Sequence, residues 1–270
     1  MKTNNGALHV ASLEPEYGGN ENPSGASGIS DSGVDCVPYS LHELCFPLSL
    51  TDEEMRNIGV LAGKRRKLVR GQSLFRAGYP FESLYVVKTG FFKTEVLTED
   101  GRTQVTSFPM AGEILGIDGI STEAHSCDVI ALEDSEVCLL PFHEMETLSA
   151  QMSALQRHLY KILSHEIVCN QRLIVMLGTM RAEERVVAFL LNLSERFAAR
   201  GYSPVEFHLR MSREEISSYL GLTIETVSRT FSHLREAKLI DVDKKHIYLF
   251  DIPGLEILLA KPAAAKNIFQ

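Results

Sequence analysis

No run in this 270-residue chain approaches the roughly 18 consecutive apolar residues that a membrane-spanning helix needs, so no helical membrane span is expected. The opening residues, MKTNNGALHV, hold one lysine and no apolar core of a secretory signal, which places the expected location in the cytoplasm. Cysteine is scarce and odd in number, five residues at 36, 45, 127, 138 and 169. That excludes a disulfide framework in a reducing compartment and leaves metal ligation or burial to explain the thiols. Tryptophan is absent, which excludes no fold. Catalytic signatures are missing too: there is no glycine-rich phosphate loop after a strand, no His-Glu-x-x-His and no serine nucleophile elbow, so an enzyme is not expected. Positive charge is in deficit, with 27 Lys+Arg against 35 Asp+Glu and a net charge of -8. The deficit is uneven. Residues 1–180 hold 14 basic against 23 acidic side chains, whereas residues 181–270 hold 13 against 12. Only the C-terminal part can approach phosphates without a strong repulsive field.

Residues 1–34 are rich in Asn, Gly, Ser, Glu and Pro and poor in large apolar groups, a composition expected to stay disordered. From about Arg70 to Phe142, short apolar runs such as SLYVVKTGFFKTEVL and EVCLLPF are broken by Gly78, Gly90, Gly101 and Gly112, the pattern of a small antiparallel β structure. After Pro141 the period changes. Leu148, Met152, Leu155, Leu159, Leu163, Ile167, Asn170, Ile174 and Leu177 recur at three and four, predicting one long helix with an apolar stripe. The stripe predicts a coiled-coil homodimer with Leu155, Leu159, Ile167, Asn170 and Ile174 in the seam. A further amphipathic helix is expected from Ala182 to about Ala199.

Ser212 and Glu215 form a capping box that opens a short helix ending at Gly221, and Thr223 can cap a second helix to about Ala237. Two short helices around a glycine turn make a helix-turn-helix. The segment KLIDVDKKHIYLFDI then reads as a two-stranded wing turning at Asp243-Lys244-Lys245. On the second helix, Glu225, Ser228 and Arg229 project together, suited to a DNA major groove. Arg can hold O6 and N7 of guanine, Glu can accept from N4 of cytosine, and Ser can serve either edge. Arg235, Lys238 and the wing lysines suit phosphates.

The stretch SREEISSYLGLTIETVSRTFSHLREAKLI resembles the DNA-binding segment of the CRP/FNR family of bacterial transcription regulators, and the element Glu225-Thr226-Val227-Ser228-Arg229 resembles its FNR branch. The likeness extends over nearly all of 36–255. It implies an α+β fold: an antiparallel β-roll of the cyclic-nucleotide-binding kind, a long dimerisation helix and a C-terminal winged helix-turn-helix. The expected division is 1–34 extension, 35–48 cysteine-bearing segment, 49–145 sensor domain, 146–178 dimerisation helix, 179–262 DNA-binding domain and 263–270 tail. The resemblance also implies a homodimer on a TTGAT-N4-ATCAA-like double-stranded palindrome, with Thr226 among the DNA-binding residues. RNA polymerase is the implied partner, through the turn Thr98 to Arg102 and the surface Asp118 to Ala124.

For the signal, the resemblance implies a [4Fe-4S] cluster on cysteine thiolates, with Cys36, Cys45 and Cys138 at three of the ligand positions. Tyr39 stands where the branch has its fourth cysteine; Cys127, His42, Asp35 or Tyr39 itself can supply that ligand. The alternatives are haem and nitric oxide in the β-roll, or a cyclic nucleotide. Cyclic-nucleotide binders of the family place an Arg-Ser pair where this chain has His125-Ser126-Cys127. Glu113, in the Gly-Glu loop, is therefore expected to be solvated or to cap a turn.

Overall fold

The computed structural model of the protein describes residues 64–260. The expectations for 1–34, for 35–48 with Cys36, Tyr39 and Cys45, and for 263–270 lie outside the described residues.

Eight short strands form two antiparallel sheets. The first has the order β1 (Arg65–Leu68), β8 (Ser135–Pro141), β3 (Ser83–Thr89), β6 (Ile114–Leu115); the second runs β2 (Ser73–Phe75), β7 (Asp128–Ala131), β4 (Phe92–Leu97), β5 (Thr103–Ser107). The glycine breaks in the sequence are the turns, since Gly78, Gly90, Gly101 and Gly112 all have positive φ. Gly90 is held to glycine twice over: its φ is 95° and a Cβ there would lie 2.0 Å from Ser135 Oγ.

Strand alternation sorts the side chains into two cores. Leu74, Phe92, Val129 and Val137 meet with Cys127 in one cluster; Leu84, Val86, Cys138 and Leu140 pack with Met145, Met152 and Leu155 in another. The second cluster is where the helices begin.

The expected single long helix is two. α1 (Phe142–Gln151) and α2 (Ser153–Thr179) are separated by Met152, whose φ of -121° and ψ of 97° are extended. This break changes the fate of the apolar stripe. Leu155, assigned by the sequence to the dimer seam, is fully buried against the β-roll, and Leu159 packs on the same cluster. Leu173, Met176 and Leu177 turn toward the C-terminal core. Tyr160, Ile167 and Ile174, at heptad spacing, remain 59%, 58% and 68% exposed, with Asn170 exposed among them.

The C-terminal part comprises α3 (Ala182–Ala198), β9 (Glu206–His208), α4 (Arg213–Leu220), α5 (Ile224–Glu236), β10 (Ile240–Asp243), β11 (His246–Leu249) and α6 (Ile252–Ala260). Its sheet has the order β10-β11-β9. Val186, Leu190, Ile216, Leu220, Val227, Leu234 and Ile247 are fully buried in one cluster that also takes in Phe91, Val105, Phe108, Met110 and Leu132 of the β-roll. The two halves therefore share apolar surface. β9 and α6, absent from the sequence reading, complete this domain. Among the described residues no helix is long and apolar enough to cross a membrane.

Candidate nucleic-acid interface and sensor cavity

Local chemistry sets the two helices of the motif. Ser212 Oγ accepts from Glu215 N at 3.1 Å and Glu215 Oε2 accepts from Ser212 N at 2.7 Å, so the capping box closes α4. Gly221, with φ 61° and ψ 41°, ends it in the left-handed conformation. Thr223 Oγ1 then accepts from Thr226 N at 3.2 Å and starts α5. Thr226 is half-buried and its hydroxyl lies 3.0 Å from that of Thr223, so it serves the cap.

α5 is divided lengthwise. Val227, Thr230, Phe231 and Leu234 face the core; Glu225, Ser228, Arg229 and Arg235 are exposed. The Glu225 carboxyl lies below its ordinary range because its own backbone N–H and the Thr223 hydroxyl donate to it, with Arg229 adding a smaller share. It is thus held as an acceptor. Arg213 lies 3.6 Å above the Phe231 ring and ties the start of α4 to α5. In the wing, Lys244 is exposed with φ 56°. Lys245 instead donates to the Arg210 carbonyl at 3.0 Å, so it is engaged within the domain.

A cavity of about 840 Å³ lies between the β-roll and α2 and α3, with Glu113, Asp118, Cys127, Glu166, Cys169 and Arg196 in its wall. Asp118 Oδ2 accepts from Ser126 N at 2.7 Å, with the Cys127 sulfur 3.6 Å away. Glu113 is also taken. Arg196 and Arg200 donate to it at 2.6–3.1 Å and Met110 N at 3.2 Å, so it does cap its turn, while the arginine pairing was invisible in the sequence. Burial first, and Glu113 second, push the Glu166 carboxyl upward. Arg172 and Arg196 stand in the same wall as these carboxylates.

The cysteines differ in kind. Cys138 is 1% exposed on β8, directly across from Arg65 of β1. Cys127 is buried beside Asp118, and burial first, then that carboxylate, push its thiol up to about 12. Among the described residues no three His, Cys, Asp or Glu side chains are grouped to hold a metal ion. In the turn Thr98 to Arg102, Asp100 pairs with Arg102 at 2.5 Å and lies at about 2, held down first by that arginine and then by Thr98.

Residues 184–258 match the model of the Crp-like helix-turn-helix domain, and residues 65–152 that of the cyclic nucleotide-binding domain. The transcriptional regulatory protein btr of Bordetella pertussis is 40% identical over 233 residues, covering 86% of this chain and 96% of that protein. The chain belongs to the CRP/FNR family of transcription regulators. The transcriptional activator protein anr of Pseudomonas aeruginosa is 41% identical over 80% of this chain and 88% of its own. The fumarate and nitrate reduction regulatory protein of Yersinia pestis is 38% identical over 85% and 92%. Among solved structures, FixK2 of Bradyrhizobium japonicum superposes with a TM-score of 0.68 at 28% identity, over 74% of this chain and 98% of that one. A CRP/FNR member of the FNR/Anr type is a DNA-binding transcription regulator and not an enzyme.

Proposed function

We propose that this regulator is a cytoplasmic homodimer that reads a TTGAT-N4-ATCAA-like palindrome, acts with RNA polymerase, and responds to oxygen through an iron-sulfur cluster. The division into a sensor domain at 49–145, a dimerisation helix at 146–178 and a DNA-binding domain at 179–262 belongs to this reading. The observation that carries it is the exposed trio Glu225, Ser228 and Arg229 on a capped helix whose opposite face is core. Such a helix can enter a major groove with its N-terminal half toward the bases. Arg235 and Lys244 then suit phosphates. The exposed heptad positions Tyr160, Ile167 and Ile174, with Asn170 between, support pairing of two α2 helices.

Cys138 supports the cluster reading through its place. It shares a core with Met152 and Leu155, at the break where α2 begins. Cys36, Cys45 and Cys138 would hold the cluster, with the fourth ligand from Cys127, His42, Asp35 or Tyr39, and it would supply oxygen-labile iron-thiolate bonds. A change of packing around Cys138 then reaches the start of the dimer helix directly.

The test pairs two measurements on anaerobically purified protein. Iron and sulfide of about four each per subunit, lost on admitting air together with affinity for the palindrome, are the expected result. Palindrome binding without iron would retain the regulator and sink the oxygen reading. No preference for the palindrome over scrambled DNA would sink both.

A further inference from the structure

The helix-turn-helix domain meets the β-roll through α4, where Val105 N donates to Ser218 Oγ at 2.9 Å and Lys93 pairs with Glu215 at 3.2 Å, and it is also anchored at both ends of α3. At the near end the Arg185 guanidinium donates to the carbonyls of Met180, Leu220 and Leu177 at 3.0, 3.0 and 2.6 Å, gathering the ends of α2 and α4 onto one side chain. This end is the pivot where α2 passes into the domain. At the far end, about 16 Å along the axis at 1.5 Å per residue, Arg196 and Arg200 close on Glu113 of the β-roll. Arg196 donates to both carboxylate oxygens at 2.8–3.1 Å and to the Phe108 carbonyl at 2.7 Å; Arg200 donates to Glu113 at 2.6 Å and to the Ala111 carbonyl at 2.6 Å. The Arg200 side chain is only 9% exposed, so solvent screens this network less than an open surface pair.

Rotation about the pivot moves the far end of α3 most. The contact at Glu113, acting with those of α4 on the same β-roll, therefore helps set the angle between the DNA-binding domain and the β-roll. It does so without covering α5, whose Glu225, Ser228 and Arg229 are exposed while the contact is closed. We infer that Glu113, Arg196 and Arg200 form a positioning latch that fixes the distance between the two recognition helices of the dimer, and hence the half-site spacing it accepts. The inference rests on the palindrome reading proposed above, because half-site spacing has meaning only for a dimer on two half-sites.

The experiment compares full-length wild type with Glu113→Gln and Glu113→Asp on duplexes whose spacer is four, five or six base pairs, and on a single half-site. Wild type is expected to prefer the four-base-pair spacer strongly. Glu113→Gln is expected to lose about tenfold of that discrimination while binding the single half-site as wild type does, with Glu113→Asp, which keeps the charge, falling between. If Glu113→Gln does not fold, as judged by its melting curve, Arg196→Lys supplies the same readout, because an ammonium cannot span both oxygens. Spacer discrimination unchanged in a folded variant overturns the latch. Absence of spacer preference in wild type overturns the palindrome reading, and the latch falls with it.

Discussion

At the residue scale, the proposed interface assigns base recognition and phosphate recognition to different side chains. Arg229 carries the fork that suits guanine, and the cap lowers the pKa of the nearby Glu225 carboxyl. Arg229→Ala is expected to lose about 1–3 kcal/mol of binding and to relax base preference at one position of each half-site; titration against single-base variants of the palindrome checks this. Cys127 carries an opposite kind of prediction. Its thiol sits at about 12 against an ordinary value of 9.0, so the folded protein keeps the proton that the unfolded chain releases first. Stability is thus unaffected below pH 9 and falls as pH rises from 9 toward 12. In the folded protein at pH 8, Cys127 should resist iodoacetamide, and in denaturant it should react; mass spectrometry of the peptide distinguishes the two. These properties come first from burial in the surrounding core and then from Asp118, with the adjacent Asp128 adding a smaller share.

At the element scale, short-range signals were legible and long-range ones were not. The capping box at Ser212 and Glu215, the stop at Gly221 and the cap at Thr223 each act within four residues, and the helices α4 and α5 follow from them. The break at Met152 has no such signal, for neither proline nor glycine stands there. It arises because Met152 and Leu155 find a core to fill. The apolar period of α2 was correctly seen, but period alone cannot say which partner each face meets. Ile174→Glu is expected to convert dimer to monomer in sedimentation and to weaken palindrome binding while leaving the melting temperature of the monomer unchanged, since Ile174 is 68% exposed. Leu155→Ala should do the reverse, destabilising the fold by about 2–5 kcal/mol through a cavity beneath β8.

At the scale of the whole molecule, charge and architecture divide along the same line. The acidic load lies in residues 1–180 and the near-neutral portion in 181–270. DNA therefore meets a domain that repels it little, carried on a body that repels it more, which orients the approach. Arg235→Ala is expected to weaken binding to all sequences alike and to reduce the slope of log affinity against log salt by about 0.9; titrations across a salt series measure both. The β-roll shows the other consequence of architecture. Its family likeness points to an anion pocket, yet here Asp118 accepts from Ser126, and Glu113 from Arg196 of α3 and Arg200 just beyond it.

The family was readable as a resemblance, and the two helices of the motif with the exposed face of Glu225, Ser228 and Arg229 were readable from residue order, because caps, turns and periodicity act over a few positions and leave marks in the order itself. The division of the α2 stripe among the β-roll, the C-terminal core and solvent was settled only in three dimensions, as was the capture of Glu113 by arginines 83 and 87 residues away. Both depend on which surfaces the folded chain brings together, and no local preference encodes that.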